Sequence, residues 1–152
     1  MESLNPRVRL AWLLGAFVPG AIIVGVGVVA VRIGAPVPLA AAVGVATLVV
    51  ALGLVAAVYR YRVWRFEVRD DSLYIVRGVF TRVDTSVPYV RVQHVDTRRG
   101  PLERTLGLAS VVVYTAGSRG ADITIPGLTP TRAGELRERL RELATESEFD
   151  AV

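Results

Sequence analysis

The sequence predicts a membrane α-helical hairpin of two transmembrane helices followed by a small α+β domain, and three features carry that prediction. No charged residue lies between Arg9 and Arg32, and none between Arg32 and Arg60. From Val63 to about Ile125 the chain breaks into short strand-like stretches separated by turn residues. It closes on a segment whose leucines recur at helical spacing among charged neighbours. The expected division is residues 1–62, a tail and the hairpin, and residues 63–152, one small domain.

The first apolar run, Leu10 to Val31, is about 22 residues long, and the second, Val37 to Val58, is of similar length. At 1.5 Å per helical residue each covers about 33 Å, enough for a hydrocarbon core of about 30 Å. Two uninterrupted runs of this kind are more than a soluble core needs, whereas lipid offers exposed polar groups no partner. A cleaved signal peptide fits poorly. Its apolar stretch would be about 7–15 residues with a small-x-small cleavage pattern, whereas here the turn Arg32 to Pro38 leads into a second apolar run. Within the runs only Thr47 and the aromatics near the ends carry hydrogen-bonding side chains. Ion paths and proton relays need buried ionisable groups, so the spans read as structural. Ala16 and Gly20, Ala21 and Gly25, Ala40 and Gly44, and Gly53 and Ala57 stand four apart, a spacing that permits close helix contact. Pro19 is placed to kink the first helix.

Charge sets the orientation. Arg7 and Arg9 flank the first run, Arg60, Arg62 and Arg65 flank the exit of the second, and the interhelical turn carries Arg32 alone. Positive charge near span ends stays cytoplasmic, so both termini are expected in the cytoplasm and the protein in the cell membrane as a multi-pass protein. Trp12, Tyr59, Tyr61 and Trp64 suit an interfacial aromatic belt. The pI near 10.1 invites a nucleic-acid partner. Sorting the charges removes it: six arginines and one acid precede residue 66, and twelve arginines face thirteen acids from Phe66 onward. The basicity is a topology signal with a contribution to anionic headgroups. No cysteine and a single histidine, His94, leave no thiolate chemistry and no Cys/His metal site. No cofactor is expected.

In the soluble part, strands are predicted over Val63 to Arg69, Leu73 to Phe80, Arg82 to Val87 and Tyr89 to Asp96. Asp70-Asp71-Ser72 turns the first pair, Gly78 marks a bend, and Val90 and Val92 are expected to share a face. A short helix over Pro101 to Leu106 has proline in its first turn and Gly107 at its stop. Leu108 to Thr115 is strongly β-branched. Ala116 to Gly120 turns it, and Asp122 to Ile125 returns as a strand. The final helix has Thr129 as cap, Pro130 at its first position, and Leu136, Leu140 and Leu143 on one face. Glu135 with Arg139 and Glu138 with Arg141 are expected pairs on its solvated side. Short strands followed by one amphipathic helix suggest a small barrel or bent sheet sealed by the helix.

The pattern Leu73-x-Ile75-x-x-Gly78, then Pro88, Val92-Gln93-x-Val95, Pro101-x-x-Arg104-x-x-Gly107-Leu108-x-x-Val111 and Thr115-Ala116-Gly117 resembles the membrane-flanked bacterial pleckstrin-homology-like domain, the YdbS-like group. The resemblance covers about Trp64 to Leu128, and the preceding hairpin matches how such proteins are built. It implies a PH-like β-barrel with a C-terminal capping helix at the cytoplasmic membrane face, and brings no settled activity. It also implies a homo-oligomer, or a complex with another membrane protein carrying similar domains.

The residues of the pattern have physical readings. Gly78 and Gly107 suit turns that disfavour a Cβ. Gln93 is expected to bond a strand-end or loop backbone group, and Arg104 to pair with Asp96 or a helix-end carbonyl. His94 reads as a strand residue. Enzymatic motifs are absent: Gly117-Ser118-Arg119-Gly120 only superficially resembles a nucleophile elbow, and a relay would have to combine His94 and Asp96 with an unselected serine such as Ser118. The expectation is a membrane-anchored, non-enzymatic binding or scaffold protein working through protein contacts. The alternatives are an accessory subunit of a membrane-surface enzyme or of an export or stress-response complex, and a lipid-headgroup module. Eukaryotic PH domains that hold inositol phosphates commonly carry basic residues in the first hairpin, where this chain has Asp70 and Asp71.

Overall fold

The computed structural model describes residues 1–117 and 122–150. Its contacts divide the chain into Arg9–Arg62 and a second unit made of Met1–Val8 with Val63–Val152.

The first unit is the hairpin. Helix α1 spans Val8–Arg32 and helix α2 spans Leu39–Val63, and both are long and apolar enough to cross a membrane. Leu14, Phe17, Ile22 and Val26 of α1 and Leu48, Leu52 and Val55 of α2 are exposed. That surface would be costly in water and is neutral against lipid tails. Apart from Tyr61 near the end of α2, the buried positions of this unit are small, among them Ala16, Gly20, Ala46 and Ala57. A Cβ added to Gly20 would stand 2.5 Å from Val50 Cγ2, and one added to Gly53 would stand 2.9 Å from Ala16 Cβ. The Ala16–Gly20 and Gly53–Ala57 spacings are therefore used inside the hairpin, whereas Gly25 and Gly44 have open space above them. Pro19 lies inside α1 and the helix continues through it. Gly34 ends α1 at a φ of 79°, a conformation that favours glycine. Two cation–π contacts join the opposite ends of the helices: the Arg9 guanidinium lies 3.8 Å from the Tyr61 ring centroid and that of Arg60 lies 4.4 Å from Trp12.

Among its described residues the second unit holds seven strands. A four-stranded antiparallel sheet has the order β1 (Glu2–Ser3), β2 (Arg65–Val68), β3 (Ser72–Arg77) and β4 (Val83–Pro88). After a 3₁₀ turn at Tyr89–Arg91, a three-stranded antiparallel sheet has the order β5 (Val92–Arg98), β6 (Ala109–Thr115) and β7 (Ile123–Leu128). Helix α3 (Pro101–Thr105) links β5 to β6, and helix α4 (Pro130–Asp150) closes the chain. The core comprises Phe66, Leu73, Ile75, Val111, Val113 and Ile125 from the sheets, with Ala133, Leu136, Leu140 and Leu143 from α4. Helix α4 is capped by Thr129, whose hydroxyl accepts from the Arg132 N–H at 3.2 Å.

Several expectations change. The segment ahead of the first span is part of the soluble unit. Glu2 pairs with Phe66 and Ser3 with Arg65, Leu4 and Val8 are buried, and the Asn5 N–H donates to the Gly127 carbonyl at 2.7 Å. A strand of two residues has no sequence pattern of its own. Trp64 is core rather than interfacial belt, 4 % exposed and edge-on to Phe66 with centroids 6.3 Å apart. Tyr89 is buried and Val90 exposed, because the 3₁₀ turn breaks the alternation expected from Tyr89 to Asp96. Strand β7 runs on to Leu128 through Gly127. On α4, Glu138 pairs with Arg141 as expected, at 3.8 Å, but Glu135 pairs with Arg132 and Arg139 with Glu142.

Candidate functional site

The β2–β3 turn at Arg69–Ser72 is held by several hydrogen bonds. The Arg69 N–H donates to the Ser72 carbonyl at 3.0 Å, closing a tight turn. Tyr89, which follows Pro88 at the end of β4 and donates its N–H to the Asp71 carbonyl at 3.3 Å, directs its hydroxyl at the same turn. The oxygen lies 2.7 Å from the Arg69 carbonyl and 3.0 Å from that of Ser72. Burial, together with the nearby Asp71 and Asp70 carboxylates, pushes the Tyr89 hydroxyl up to about 12. The Ser72 hydroxyl donates to Asp71 at 2.8 Å. The outcome is a rigid turn that presents Asp70 and Asp71 to solvent.

Beside this turn, Val68, Arg69 and Asp70 face Arg132, Leu136 and Arg139 of α4 across a cleft of about 480 Å³. Leu143 and Glu146 complete it. Each of its guanidiniums has a carboxylate partner. Arg69 donates to Glu67 at 2.9 Å and covers the Tyr74 ring at 4.0 Å, and it holds the Glu67 carboxyl below its usual range. Arg132 makes two contacts to Glu2, at 2.6 and 2.8 Å, which raise its pKa, and a third to Glu135 at 3.3 Å. Arg139 reaches Glu142 at 3.4 Å. The cleft is mixed in charge.

The residues of the sequence pattern fall elsewhere. Gly78 has a φ of 110°, and a Cβ there would run into the Thr81 carbonyl, so it closes the β3–β4 tip. Gly107 has a φ of 65° after α3, and the Arg7 guanidinium lies 3.5 Å from where its Cβ would be. Pro101 opens α3, and Leu108 is fully buried. Arg104 donates from Nε to the Arg99 carbonyl at 3.2 Å, a carbonyl ahead of the helix rather than at its end, and does not reach Asp96. Gln93 is exposed at the irregularity between Val92 and His94, and its side chain bonds no described residue, contrary to the expected backbone contact. Gly117 is exposed after β6. Of the arginines flanking the spans, Arg9 and Arg60 cap aromatic rings, Arg65 donates to the Trp64 carbonyl at 2.8 Å, and Arg62 is exposed.

Sequence reasoning missed Glu103, which accepts from the Gly100 N–H at 2.7 Å and from the Ser110 hydroxyl, locking α3 to β6. An acidic residue three positions after a helix-opening glycine was the available signal. His94 stacks on Tyr114 with centroids 4.1 Å apart and approaches Asp96 at 3.8 Å, both being exposed. Ser118 lies outside the described residues. Among the described residues no group of three His, Cys, Asp or Glu side chains could hold a metal ion.

A membrane hairpin followed by two small antiparallel sheets and a closing helix defines a membrane protein with a PH-like domain. Residues 10–144 match the family model described as bacterial PH domain, and the chain belongs to that family. It is similar to the transmembrane protein YdbS of Bacillus subtilis (strain 168), with 38% identity over 104 residues. The match covers 65% of this chain and 64% of the relative. No solved structure matches. The family is not a known enzyme family, and the relative's membrane character agrees with the two apolar helices.

Proposed function

We propose that this chain is a membrane-anchored scaffold whose soluble unit binds a protein partner at the cytoplasmic membrane face. The observation that carries this reading is the cleft between the Asp70 turn and α4. Its three guanidiniums are already neutralised by Glu67, Glu2 and Glu142, and Asp70 lies on its rim. A phosphate headgroup would have to displace these carboxylates and approach Asp70 and Asp71, an arrangement that repels it. A mixed-charge surface over the buried stems of Leu136 and Leu143 instead complements the surface of another protein. The partner is a second copy or another membrane protein with a similar domain. The outer side of β4, which pairs with no strand among the described residues, offers such a partner a sheet edge.

The pairing of β1 with β2 supports a common side for both termini, since residues before the first span and after the second share one sheet. The arginines at Arg7, Arg9, Arg60, Arg62 and Arg65 favour the cytoplasm for that side. A reporter joined to the C-terminal end should behave as cytoplasmic. Soluble inositol phosphates and glycerophosphates titrated onto the full chain in nanodiscs should give no saturable signal. Headgroup-selective saturable binding that persists in moderate salt would overturn the protein-partner reading.

A further inference from the structure

Phe80 is 98 % exposed at the tip of the β3–β4 hairpin, and among the described residues it is the most exposed large apolar side chain outside the spans. The tip is built, since Gly78 folds at a φ of 110° beneath the Thr81 carbonyl and Arg77 pairs with Val83 across its base. Its surroundings are Arg77, Arg82 and a partly exposed Val83, with Arg82 held 3.3 Å from Asp84.

The sheet register says which end this is. Strand β2 begins at Arg65, and Trp64 alone separates it from Val63, the last residue of α2. Strand β1 runs antiparallel to β2 and ends at Ser3, opposite Arg65, from where the chain leads into α1. Both connections to the spans therefore leave from one end of the sheet. Arg65 also pairs with Val76, so β3 returns to that same end and the tip at Phe80 projects past it. The acidic turn at Asp70 and Asp71 lies at the opposite end.

Reach agrees with this. From Tyr59 to Arg65 the chain can span no more than about 13 Å, at 1.5 Å per helical and about 3.4 Å per extended residue. Within the sheet the tip extends about 10 Å beyond the level of Arg65, a length comparable with that of the link. An aromatic ring flanked by arginines is the chemistry of a side chain seated at the boundary between headgroups and acyl chains.

We propose that Phe80 inserts into the interfacial layer of the same bilayer that the hairpin crosses, making the β3–β4 tip a third membrane contact of the chain. The acidic turn, at the opposite end of the sheet, takes no part in this contact. It depends on the spans crossing a membrane and not on the identity of any protein partner.

Because the chain contains no cysteine, single cysteines can carry a fluorophore. The full chain is reconstituted in nanodiscs of mixed anionic and zwitterionic phospholipid, with lipid-borne quenchers near the headgroup, and labelled at Thr81→Cys or Asp71→Cys. The label at residue 81 should be quenched several-fold more than the label at residue 71, and adding Phe80→Glu should bring it down to the residue 71 level. Equal quenching at the two sites would overturn the proposal. So would strong quenching at residue 81 that Phe80→Glu leaves unchanged, because the tip would then lie near the membrane without Phe80 entering it.

Discussion

Val8 occupies the space that a side chain on Gly127 would need: a Cβ built there would lie 2.6 Å from Val8 Cβ and 2.7 Å from its Cγ2. Gly127 also has a φ of 64°, and its carbonyl accepts the Asn5 N–H. The residues just ahead of the first span are thus docked onto the last strand of the soluble unit through a glycine that no other residue replaces without strain.

Gly127→Ala should destabilise the soluble unit by about 2 kcal/mol or more, from the left-handed conformation and the collision with Val8 together. Thermal unfolding of the full chain in detergent, followed by near-UV circular dichroism, reads this directly. An unchanged midpoint would show that the N-terminal segment is not held as described.

Tyr89→Phe removes a buried donor from the Arg69 and Ser72 carbonyls and should cost about 1–2 kcal/mol. It should also alter the alkaline limb of stability. The Tyr89 hydroxyl keeps its proton to about pH 12 in the folded chain, against 10 for the ordinary value. Between those values the unfolded chain binds fewer protons than the folded one, so stability is complete below pH 10 and falls as pH rises toward 12. The Phe variant should lose this component. A denaturant midpoint measured across that range checks the sign.

Arg132→Ala breaks the two contacts to Glu2 and the contact to Glu135. The groups are partly exposed, so the expected loss is no more than about 1 kcal/mol, and it should shrink as salt is raised. Exchanging the charges, Glu2→Arg with Arg132→Glu, should recover part of the loss. Failure of the exchange to recover any stability would remove the pair as an attachment of β1.

The glycines of the hairpin should separate two roles. Gly20→Leu forces a side chain into Val50 and should splay the helices, at about 1–3 kcal/mol. Gly25→Leu meets open space and leaves the hairpin intact. Mass measurement of the complex in mild detergent then tests assembly. If Gly25→Leu lowers the mass, its face is a contact between chains; a monodisperse monomer unaffected by it removes self-association through that face.

The spans were legible because a bilayer imposes one requirement on every position of a run, and Leu10 to Val31 satisfies it throughout. The leucines of α4 were legible for a similar reason: a repeated spacing, with Leu136, Leu140 and Leu143 all buried. What the sequence hid depends on partners distant along the chain. Glu2 and Ser3 form a strand only because Phe66 and Arg65 stand beside them. Trp64 resembles a belt residue by position and is core by contact with Phe66. The arginines of the cleft read as a solvated helix face, and only the fold shows that Arg69 of the β2–β3 turn joins Arg132 and Arg139 there. Asp70 and Asp71 were visible as a turn, but nothing local reveals that a tyrosine close to twenty positions on holds that turn rigid.

Strand β1 also constrains the order in which the molecule is made. Glu2 and Ser3 leave the ribosome before either span, yet the backbone they bond to, at Arg65 and Phe66, emerges only after both. This segment must therefore wait unpaired while the hairpin enters the lipid, and it must wait on the side where β2 will appear. A half-inserted hairpin, with only one span across, would leave β1 and β2 across a membrane from one another. The sheet then could not be completed, and Leu4 and Val8, buried in the finished protein, would stay in the open. Completion of the sheet thus requires the two spans to cross together, with β1 and β2 on one side.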